Sequence, residues 1–170
     1  MIRRLTEDEV ESAWAIINAA AQAYRGVIPD DCWHEPYMPL EELQAEILAG
    51  VEFWTYEAAG RLAGVMGRQD VRDVILIRHA YVAPAVQRAG VGARLLGHLR
   101  QGMTRPLLVG TWAAAWWAVR FYEKHGFRLV TPAEKDRLLR AYWTISDRQV
   151  ETSVVLADEK WFESRPGLGG

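Results

Sequence analysis

The stretch from residue 73 to residue 101 constrains the fold most, because it combines an apolar run, a glycine-containing loop and a helical pattern. Apolar residues fill most of 73–83, and apolar residues recur at helical spacing in 91–101, which predicts a strand, a turn and a helix. Gly90 and Gly92 let the backbone at this junction pass close to a ligand. The first turn of a helix leaves amide N–H groups without partners, at the positive end of the helix dipole. With Arg88 beside it, the junction is predicted to bind an anion, most naturally a phosphate.

Length and composition set the broad class. The 170 residues predict one domain over 1–163, with a flexible tail at 164–170. The net charge of −2 argues against a protein that binds nucleic acid by neutralising its phosphates. Cys32 is the single cysteine, which excludes a disulfide framework and a multi-cysteine metal site, and no metal is predicted. The sequence has neither an apolar run long enough for a membrane span nor a secretion signal, so no membrane association is predicted and the cytoplasm is the expected location.

The rest of the chain alternates helical and strand patterns. Thr6 and Glu9 form a capping-box pattern that opens a helix over 7–23. The run at 106–111 lacks polar alternation, as in a buried parallel strand. One α/β domain with a mixed sheet is therefore predicted. Its other predicted elements are a strand over 1–5, a helix over 40–50, a hairpin of strands over 51–58 and 61–69, a helix over 113–125, a short strand over 127–130, a helical turn or two over 132–142 and a last strand over 149–157.

Two motifs in this order resemble a known family. The first reads QRAGVG over 87–92, after the strand end YVAP at 81–84, and the second reads AVRFYEKHGF over 118–127. Either motif alone is weak, but the two together, with a helix and a strand between them, are specific. The sequence resembles the GNAT superfamily of acyl-CoA-dependent N-acyltransferases. The resemblance implies a mixed, mostly antiparallel sheet of six to seven strands, with a splayed central strand pair and helices on both faces.

The resemblance also implies a cofactor site. The ligand would be acetyl-CoA or a related acyl-CoA, with its pyrophosphate on the amides of 88–93 and its pantetheine in the gap beside the central strand. Main-chain groups at the end of that strand would pair with the pantetheine. The cofactor-binding residues implied in this way are Tyr81, Val82, Gln87, Arg88, Ala89, Gly90, Val91, Gly92 and Ala93.

Tyr122 occupies the motif position that, in the family, donates a proton to the leaving thiolate. A thiol with a pKa of ~8.5 and a phenol with a pKa of ~10 make this transfer uphill by roughly 2 kcal/mol. A positioned donor can still act, because full proton transfer need not precede bond breaking. The other interpretation is a core tyrosine packed beside Phe121 and Phe127.

The residue that deprotonates the amine is left unassigned. The family often carries Glu or His on the central strand, two or four residues before the position of Ala80, but Arg78 and Leu76 stand there. Strand alternation places His79 on the opposite face, where packing under a helix is favoured over catalysis. Glu35 is an alternative base, or a partner for a cationic acceptor, and a solvated loop carboxylate is the competing interpretation.

The acceptor pocket is predicted from the segment 24–39, which is rich in aromatic residues and prolines. Arg78 faces the presumed cleft and is expected either to pair with Glu35 or another internal carboxylate, or to clamp an anionic acceptor. The aromatic residues of the loop either roof the pocket or pack against the sheet edge. The candidate substrate residues are Tyr24, Trp33, Glu35, Tyr37 and Arg78.

The leading hypothesis is an N-acetyltransferase that acts on a small primary amine or on a protein amino group. An alternative is a catalytically silent acyl-CoA-binding regulatory module, suggested by the missing base on the central strand. A module that reads only the phosphates of a nucleotide is a third hypothesis, which the motif around Tyr122 disfavours. Dimers are common in the family, but nothing in the sequence specifies a homodimer or the identity of the amine.

Overall fold

The computed structural model of the protein describes residues 1–165, which form a single seven-stranded sheet with helices on both faces. Its strand order is β1-β2-β3-β4-β5-β7-β6. The strands are β1 (Ile2–Arg4), β2 (Glu52–Ala58), β3 (Arg61–Val71), β4 (Val74–Val82), β5 (Leu107–Trp112), β6 (Arg128–Leu129) and β7 (Ser153–Ala157). The helices are α1 (Val10–Ala21), α2 (Leu40–Leu48), α3 (Val91–Arg100), α4 (Trp116–Lys124), α5 (Pro132–Tyr142), α6 (Asp147–Thr152) and α7 (Glu159–Glu163).

The core lies on both faces of the sheet because successive residues of the central strands point to opposite sides. Ile75 and Ile77 of β4 pack with the leucines of α3 and with residues of α4 on one face. Leu76 packs on the other face, in a cluster with residues of α5, α6 and α7. A further cluster joins α1 and α2 to β2 and β3 on that second face. A near-continuous apolar pattern in β4 is what a strand covered on both faces requires.

The sheet is antiparallel except where β4 and β5 run parallel. Their pairing begins at Ile75 with Leu107 and ends at Ile77 with Val109. Beyond these residues both strands continue, but they are no longer paired with each other. The predicted mixed, mostly antiparallel sheet with a splayed central pair is therefore confirmed. The splay leaves a gap in the middle of the sheet.

A β-bulge in β4 lies just beyond Ile77, where the pairing with β5 ends. In the β3–β4 ladder Val65 pairs with Tyr81 and Gly67 with Arg78, so His79 and Ala80 together oppose one residue of β3. His79 has a φ of 52°, in the left-handed region that a non-glycine residue rarely adopts. A bulge inserts one residue and shifts the alternation of every side chain beyond it.

Several predicted boundaries were wrong. The predicted last strand over 149–157 is a strand only from Ser153, because residues 147–152 form α6. The hydroxyl of Ser146 caps this helix by accepting a hydrogen bond from the Gln149 amide at 3.1 Å. The segment 132–142, predicted as a turn or two, is the eleven-residue helix α5, which begins with a proline at its first position. The predicted helix over 113–125 starts only at Trp116.

The C-terminal prediction is partly covered by the structure. Ser164 and Arg165 contact α7: the hydroxyl of Ser164 donates to the carbonyl of Trp161, and the guanidinium of Arg165 lies over its ring. The remainder of the predicted flexible tail lies outside the described residues. Among residues 1–165, no helix is both long and apolar enough to cross a membrane.

Candidate active site

The predicted anion-binding junction forms at the start of α3. Arg88 and Gly90 adopt positive φ values of 70° and 80°, which turn the chain from β4 into the helix. The first helical hydrogen bond runs from the amide of Arg94 to the carbonyl of Gly90, at 3.1 Å. The amides of the three residues between them therefore lack helical partners. These amides and the helix dipole make the junction attractive to an anion.

Gly92 lets α3 lie close to its neighbours. A Cβ at this position would meet ring carbons of Phe121 at 3.4 Å and the side chain of Val82 at 3.8 Å. Ordinary contact would be reached by one methyl group, and any larger side chain would have to displace one of these residues or enter the space in front of the junction. The sequence therefore keeps this space open.

That space is a cavity of about 790 Å³, here called the large cavity. It extends from the amides of α3 along β4 to α4. Nearly all of the predicted cofactor-binding residues line it; within the described part of the chain, Ala89 is the exception, and its amide donates to the carbonyl of Val86 at 3.4 Å. The lining residues include Tyr81, Val82, Gln87, Arg88, Gly90, Val91, Gly92, Ala93, Trp116, Trp117, Phe121, Tyr122, Lys124 and His125.

The end of β4 directs main-chain groups into the gap. The amide of Ala83 donates to the carbonyl of Ala63 in β3 at 2.8 Å, so the N–H and C=O groups of Val82 point the other way. The carbonyl of Val82 accepts a hydrogen bond from Nε2 of Gln87 at 3.3 Å. Gln87 thus ties the loop to the strand, and the amide of Val82 is directed to the gap. The main chain of Tyr81 pairs with Val65 in the β3 ladder, so Tyr81 lines the cavities with its side chain.

A second space, of about 140 Å³, lies on the other side of the gap and is here called the small cavity. Its walls come from the loop after α1, from the splayed ends of β4 and β5, and from the segment between α5 and β7. Aromatic residues dominate the lining, with a few polar side chains. The residues include Tyr24, Tyr37, Arg78, His79, Tyr81, Thr111, Trp112, Tyr122, Trp143, Ile145, Gln149 and Ser153.

Tyr122 lines both cavities. Its ring packs edge-on against Phe121 and Phe127, with centroids 5.1 and 5.6 Å away, and only 5% of the residue is exposed. Burial, with a smaller contribution from Tyr24, raises the pKa of the Tyr122 phenol. The ring therefore belongs to the core, as one interpretation predicted, while the residue also stands where the two cavities meet.

The predicted substrate residues separate into two groups. Tyr24, Tyr37 and Arg78 line the small cavity, whereas Trp33 stacks behind Tyr37 at a centroid distance of 5.9 Å. Glu35 is 55% exposed and lies 3.7 Å from the guanidinium of Arg25. Pairing with Glu35, the first partner predicted for Arg78, is therefore wrong, because the loop holds this carboxylate at the surface; pairing with another internal carboxylate, the second, is confirmed.

The partner of Arg78 is instead a carboxylate of α2. Nη2 of Arg78 donates to Oε1 of Glu46 at 3.0 Å, and Nη1 donates to Oε1 of Gln69 at 3.1 Å. The other oxygen of Glu46 contacts Nε2 of His79. Burial by itself would raise the pKa of Glu46, but His79 and Arg78 outweigh it and the pKa is lowered.

The bulge explains why the alternation argument for His79 failed. Arg78 and His79 are adjacent, yet both contact Glu46, and Tyr81 packs with the α1–α2 cluster on the same side. His79 also stacks on Phe53 of β2 at a centroid distance of 6.0 Å. It does pack under a helix, as predicted, but on the same face as Arg78 and against the small cavity.

Sequence reasoning missed the wall of the small cavity between Trp143 and Ser153. The pattern S-x-x-Q at 146–149 is a helix-start signal that would have revealed α6, and with it the cavity-lining position of Gln149. Trp112 was also missed; its Nε1 donates to the hydroxyl of Tyr37 at 2.7 Å. No local sequence pattern predicts this contact, because the two residues are 75 positions apart. Within residues 1–165, no group of three or more histidine, cysteine or carboxylate residues could hold a metal ion.

Comparison with known proteins identifies the family. The profile described as "Acetyltransferase (GNAT) domain" matches residues 6–141. The chain belongs to this GNAT acetyltransferase family. The predicted class of enzyme, an acyl-CoA-dependent acetyltransferase, is thereby confirmed, and with it acetyl-CoA as the class of donor.

Individual GNAT relatives are distant. The chain is 28% identical over 105 residues to the peptidyl-lysine N-acetyltransferase YiaC of Escherichia coli. This match covers 62% of this chain and 69% of that protein. Among solved structures, the PaiA N-acetyltransferase of Thermoplasma acidophilum in complex with coenzyme A has a TM-score of 0.70 at 16% identity, over 93% of this chain and 97% of that one. The ribosomal-protein-S18-alanine N-acetyltransferase of E. coli has a TM-score of 0.66 at 19% identity, over 93% and 92%. These structural likenesses show the GNAT fold.

Proposed function

We propose that the protein is an N-acetyltransferase that moves an acetyl group from acetyl-CoA to a primary amine by direct attack, with Tyr122 as proton donor to the CoA thiolate. The observation that carries the proposal is the position of Tyr122, which lines both cavities. The large cavity would take the donor and the small cavity the amine. The thioester would then lie where they meet, beside the phenol.

The residues of the large cavity fit acetyl-CoA. The unpartnered amides of Val91, Gly92 and Ala93 suit a pyrophosphate, and Arg88 adds a positive charge at the rim. The amide of Val82, directed into the gap, suits an amide carbonyl of the pantetheine arm. In this assignment Gln87 and Ala89 shape the loop, and Gly90 supplies the left-handed turn that aims the helix.

The raised pKa of Tyr122 specifies what this residue can do. The phenol stays protonated throughout the neutral range, so it is always available as a donor. Its pKa lies further above that of a thiol than the ~1.5 units of the unperturbed groups, so complete transfer before bond breaking is unfavourable. Tyr122 would therefore donate as the C–S bond breaks and negative charge develops on sulfur.

The small cavity supports a compact amine terminus as acceptor. Its volume of about 140 Å³ is close to the ~150 Å³ of an engineered protein cavity that holds benzene. A lysine side chain, an N-terminal residue or a small free amine could each place its amino group there. The relatives named peptidyl-lysine and ribosomal-protein-alanine N-acetyltransferase support an amino group as the acceptor. Tyr24, Tyr37 and Arg78 would contact the acceptor, with Trp33 behind Tyr37 and Glu35 outside the pocket.

The Tyr122→Phe variant tests the proposal. We expect kcat to fall about 100-fold, within the range of a general acid, while the Kd of acetyl-CoA stays within about twofold. CoA release with a panel of lysine peptides, N-terminal peptides and small amines measures kcat, and titration calorimetry measures the Kd. Tyr142→Phe is the matched control, because its hydroxyl bonds to Asp73 and Tyr142 lines neither cavity. Unchanged turnover in Tyr122→Phe would exclude the donor role, and acetyl-CoA binding without CoA release from any amine would favour a silent binding module.

A further inference from the structure

We propose that His79, oriented by Glu46, accepts the proton of the acceptor amine. The proposal rests on the acetyltransferase function above and supplies the base that the sequence left unassigned. The side chains of Arg78, His79 and Glu46 are 20%, 17% and 17% exposed, so they form a largely enclosed cluster. Both strand residues of this cluster line the small cavity.

The backbone holds His79 in place at some cost. Its φ of 52° lies in the left-handed region, which is strained for a non-glycine residue and persists only if its surroundings enforce it. The bulge is what turns His79 to the same side of the strand as Arg78. Without it, strict alternation would direct the imidazole to the opposite face, towards α3. The strained residue thus brings an imidazole to the point where β4 leaves β5.

The contact with Glu46 selects the tautomer of His79. Nε2 of His79 and Oε2 of Glu46 are both buried and lie against each other, although they do not meet the geometry of a hydrogen bond. A carboxylate repels a lone pair and attracts an N–H group, so in the neutral ring the proton resides on Nε2 and Nδ1 keeps its lone pair. No residue in the described range 1–165 hydrogen-bonds to Nδ1, and this atom is not among those fully closed off from solvent. A carboxylate that fixes one nitrogen so that the other can take a proton is the arrangement of a base and its orienting residue.

The other charged groups favour His79 over Glu46 as the base. His79 and, to a smaller extent, Arg78 lower the pKa of Glu46 against the effect of burial, and Nη2 of Arg78 donates to its Oε1, so the ionised carboxylate is a weak proton acceptor. Arg78 and Glu46 are charged groups that contact each other and flank the imidazole, and Phe53 of β2 covers one side of the ring. The titratable groups that line the same cavity include the phenols of Tyr24, Tyr37, Tyr81 and Tyr122.

Two residues that line the small cavity, His79 and Tyr122, account for all proton transfers of the reaction. The amine enters as an ammonium ion, and Nδ1 of His79 takes one proton, directly or through a water molecule, and passes it to solvent. The neutral nitrogen forms a bond to the thioester carbon, and the C–S bond breaks with its electron pair on sulfur. Sulfur takes the proton of Tyr122, and the second proton lost by nitrogen restores the phenol through solvent. The products are the amide, the free thiol and one proton.

His79→Gln tests the base. At neutral pH we expect kcat/KM for the amine to fall about 100-fold, with the Kd of acetyl-CoA unchanged. The deficit should shrink as pH rises towards the pKa of the amine, ~10.4 for an aliphatic amine, because the neutral amine then forms without a base. A merely structural role would give the same deficit at every pH. His98→Gln is the matched control, because this histidine packs on Trp54 of β2 and lines neither cavity.

Glu46→Gln tests the orientation. The amide group of the variant can donate to Nε2, which would move the imidazole proton to Nδ1 and remove the acceptor. We expect a loss in kcat/KM of at least tenfold, and a change of tautomer visible in ¹⁵N NMR spectra of the free protein. A wild-type His79 protonated on Nδ1, or a deficit of His79→Gln that is independent of pH, would overturn the assignment. Either result leaves the proposed function intact, which fails separately if the wild-type protein binds acetyl-CoA but acetylates no amine.

Discussion

The two cavities differ in how the chain builds them. Most of the large cavity comes from two contiguous stretches, 80–95 and 116–125, each of which is a short strand end or helix with a recognisable motif. The small cavity is assembled from the loop after α1, the ends of two splayed strands, α4 and the segment from α5 to β7. A site made of local structure is encoded locally, whereas a site made of distant segments depends on how they pack. Substitutions should therefore affect the two cavities independently, and this is open to test.

The largest effect is expected from filling the large cavity. Gly92→Leu would force the added side chain against Phe121 and Val82 or into the cavity, and we expect the Kd of acetyl-CoA to rise at least tenfold. Overpacking should also lower the free energy of unfolding by about 1–3 kcal/mol. Gly97→Ala is the control: this exposed helical glycine has no atom within 4 Å of an added Cβ, and alanine should stabilise the protein by about 0.5–1 kcal/mol without changing the Kd. Normal acetyl-CoA binding by Gly92→Leu would contradict the placement of the donor.

A smaller effect is expected on the small cavity from Tyr37→Phe. The variant removes the hydroxyl that accepts a hydrogen bond from Nε1 of Trp112, and Trp112 is only 9% exposed. Leaving a buried donor unsatisfied costs about 1–3 kcal/mol, so the melting temperature should fall and the KM of the amine should rise. The Kd of acetyl-CoA should not change. An equal loss of donor and acceptor binding would show that the two cavities are not independent.

The free energy of unfolding at acid pH should depend on Glu46. Its pKa is lowered in the folded protein from the ordinary value of 4.5, so the folded state binds this proton less readily than the unfolded state. The stability gained from this group is complete above about pH 4.5 and is lost as the pH falls through the lowered value. The difference in unfolding free energy between the wild-type protein and Glu46→Gln should therefore shrink towards acid pH. Urea unfolding at several pH values measures it, and a difference that grows on acidification would contradict the ion pairing of Glu46.

The smallest effect is expected from Arg148→Ala. Arg148 and Asp31 form two N–O contacts of 2.9 and 3.1 Å that join α6 to the loop after α1, across two walls of the small cavity. Both side chains are about half exposed, and exposed ion pairs contribute little to stability at physiological salt. We expect no measurable change in melting temperature and a rise of less than about threefold in the KM of the amine. A large loss of stability would mean that this surface contact holds the walls together.

The sequence predicted the fold and the large cavity well for an identifiable reason. The strand, the glycine-containing loop and α3 are consecutive, and the second motif places Tyr122 on the next helix, so no long-range packing had to be inferred. The family assignment that rests on these motifs is confirmed. The roles of individual residues in binding and catalysis stay predictions.

The sequence predicted the small cavity less well. Tyr24, Tyr37 and Arg78, which the sequence predicted as substrate residues, line this cavity, but Glu35 does not, and the wall around Trp143 was missed. The position of α6 was hidden because 149–157 reads as one strand, although Ser146 starts a helix there. The error over Glu35 concerns contacts between residues far apart in the chain, whereas the error over α6 is local, because the cap joins Ser146 to Gln149.

By itself, the sequence determined the alternation of strands and helices, the turn at Gly90 and the amides that it exposes, because these depend on neighbouring residues. Only the tertiary structure decided that His79 shares a carboxylate with Arg78. A single inserted residue in the β4 ladder reverses the direction of the side chain, and the glutamate that meets it comes from a helix 32 residues earlier than Arg78. Strand alternation is a local rule, and a bulge that is held in place by packing with other elements overrides it.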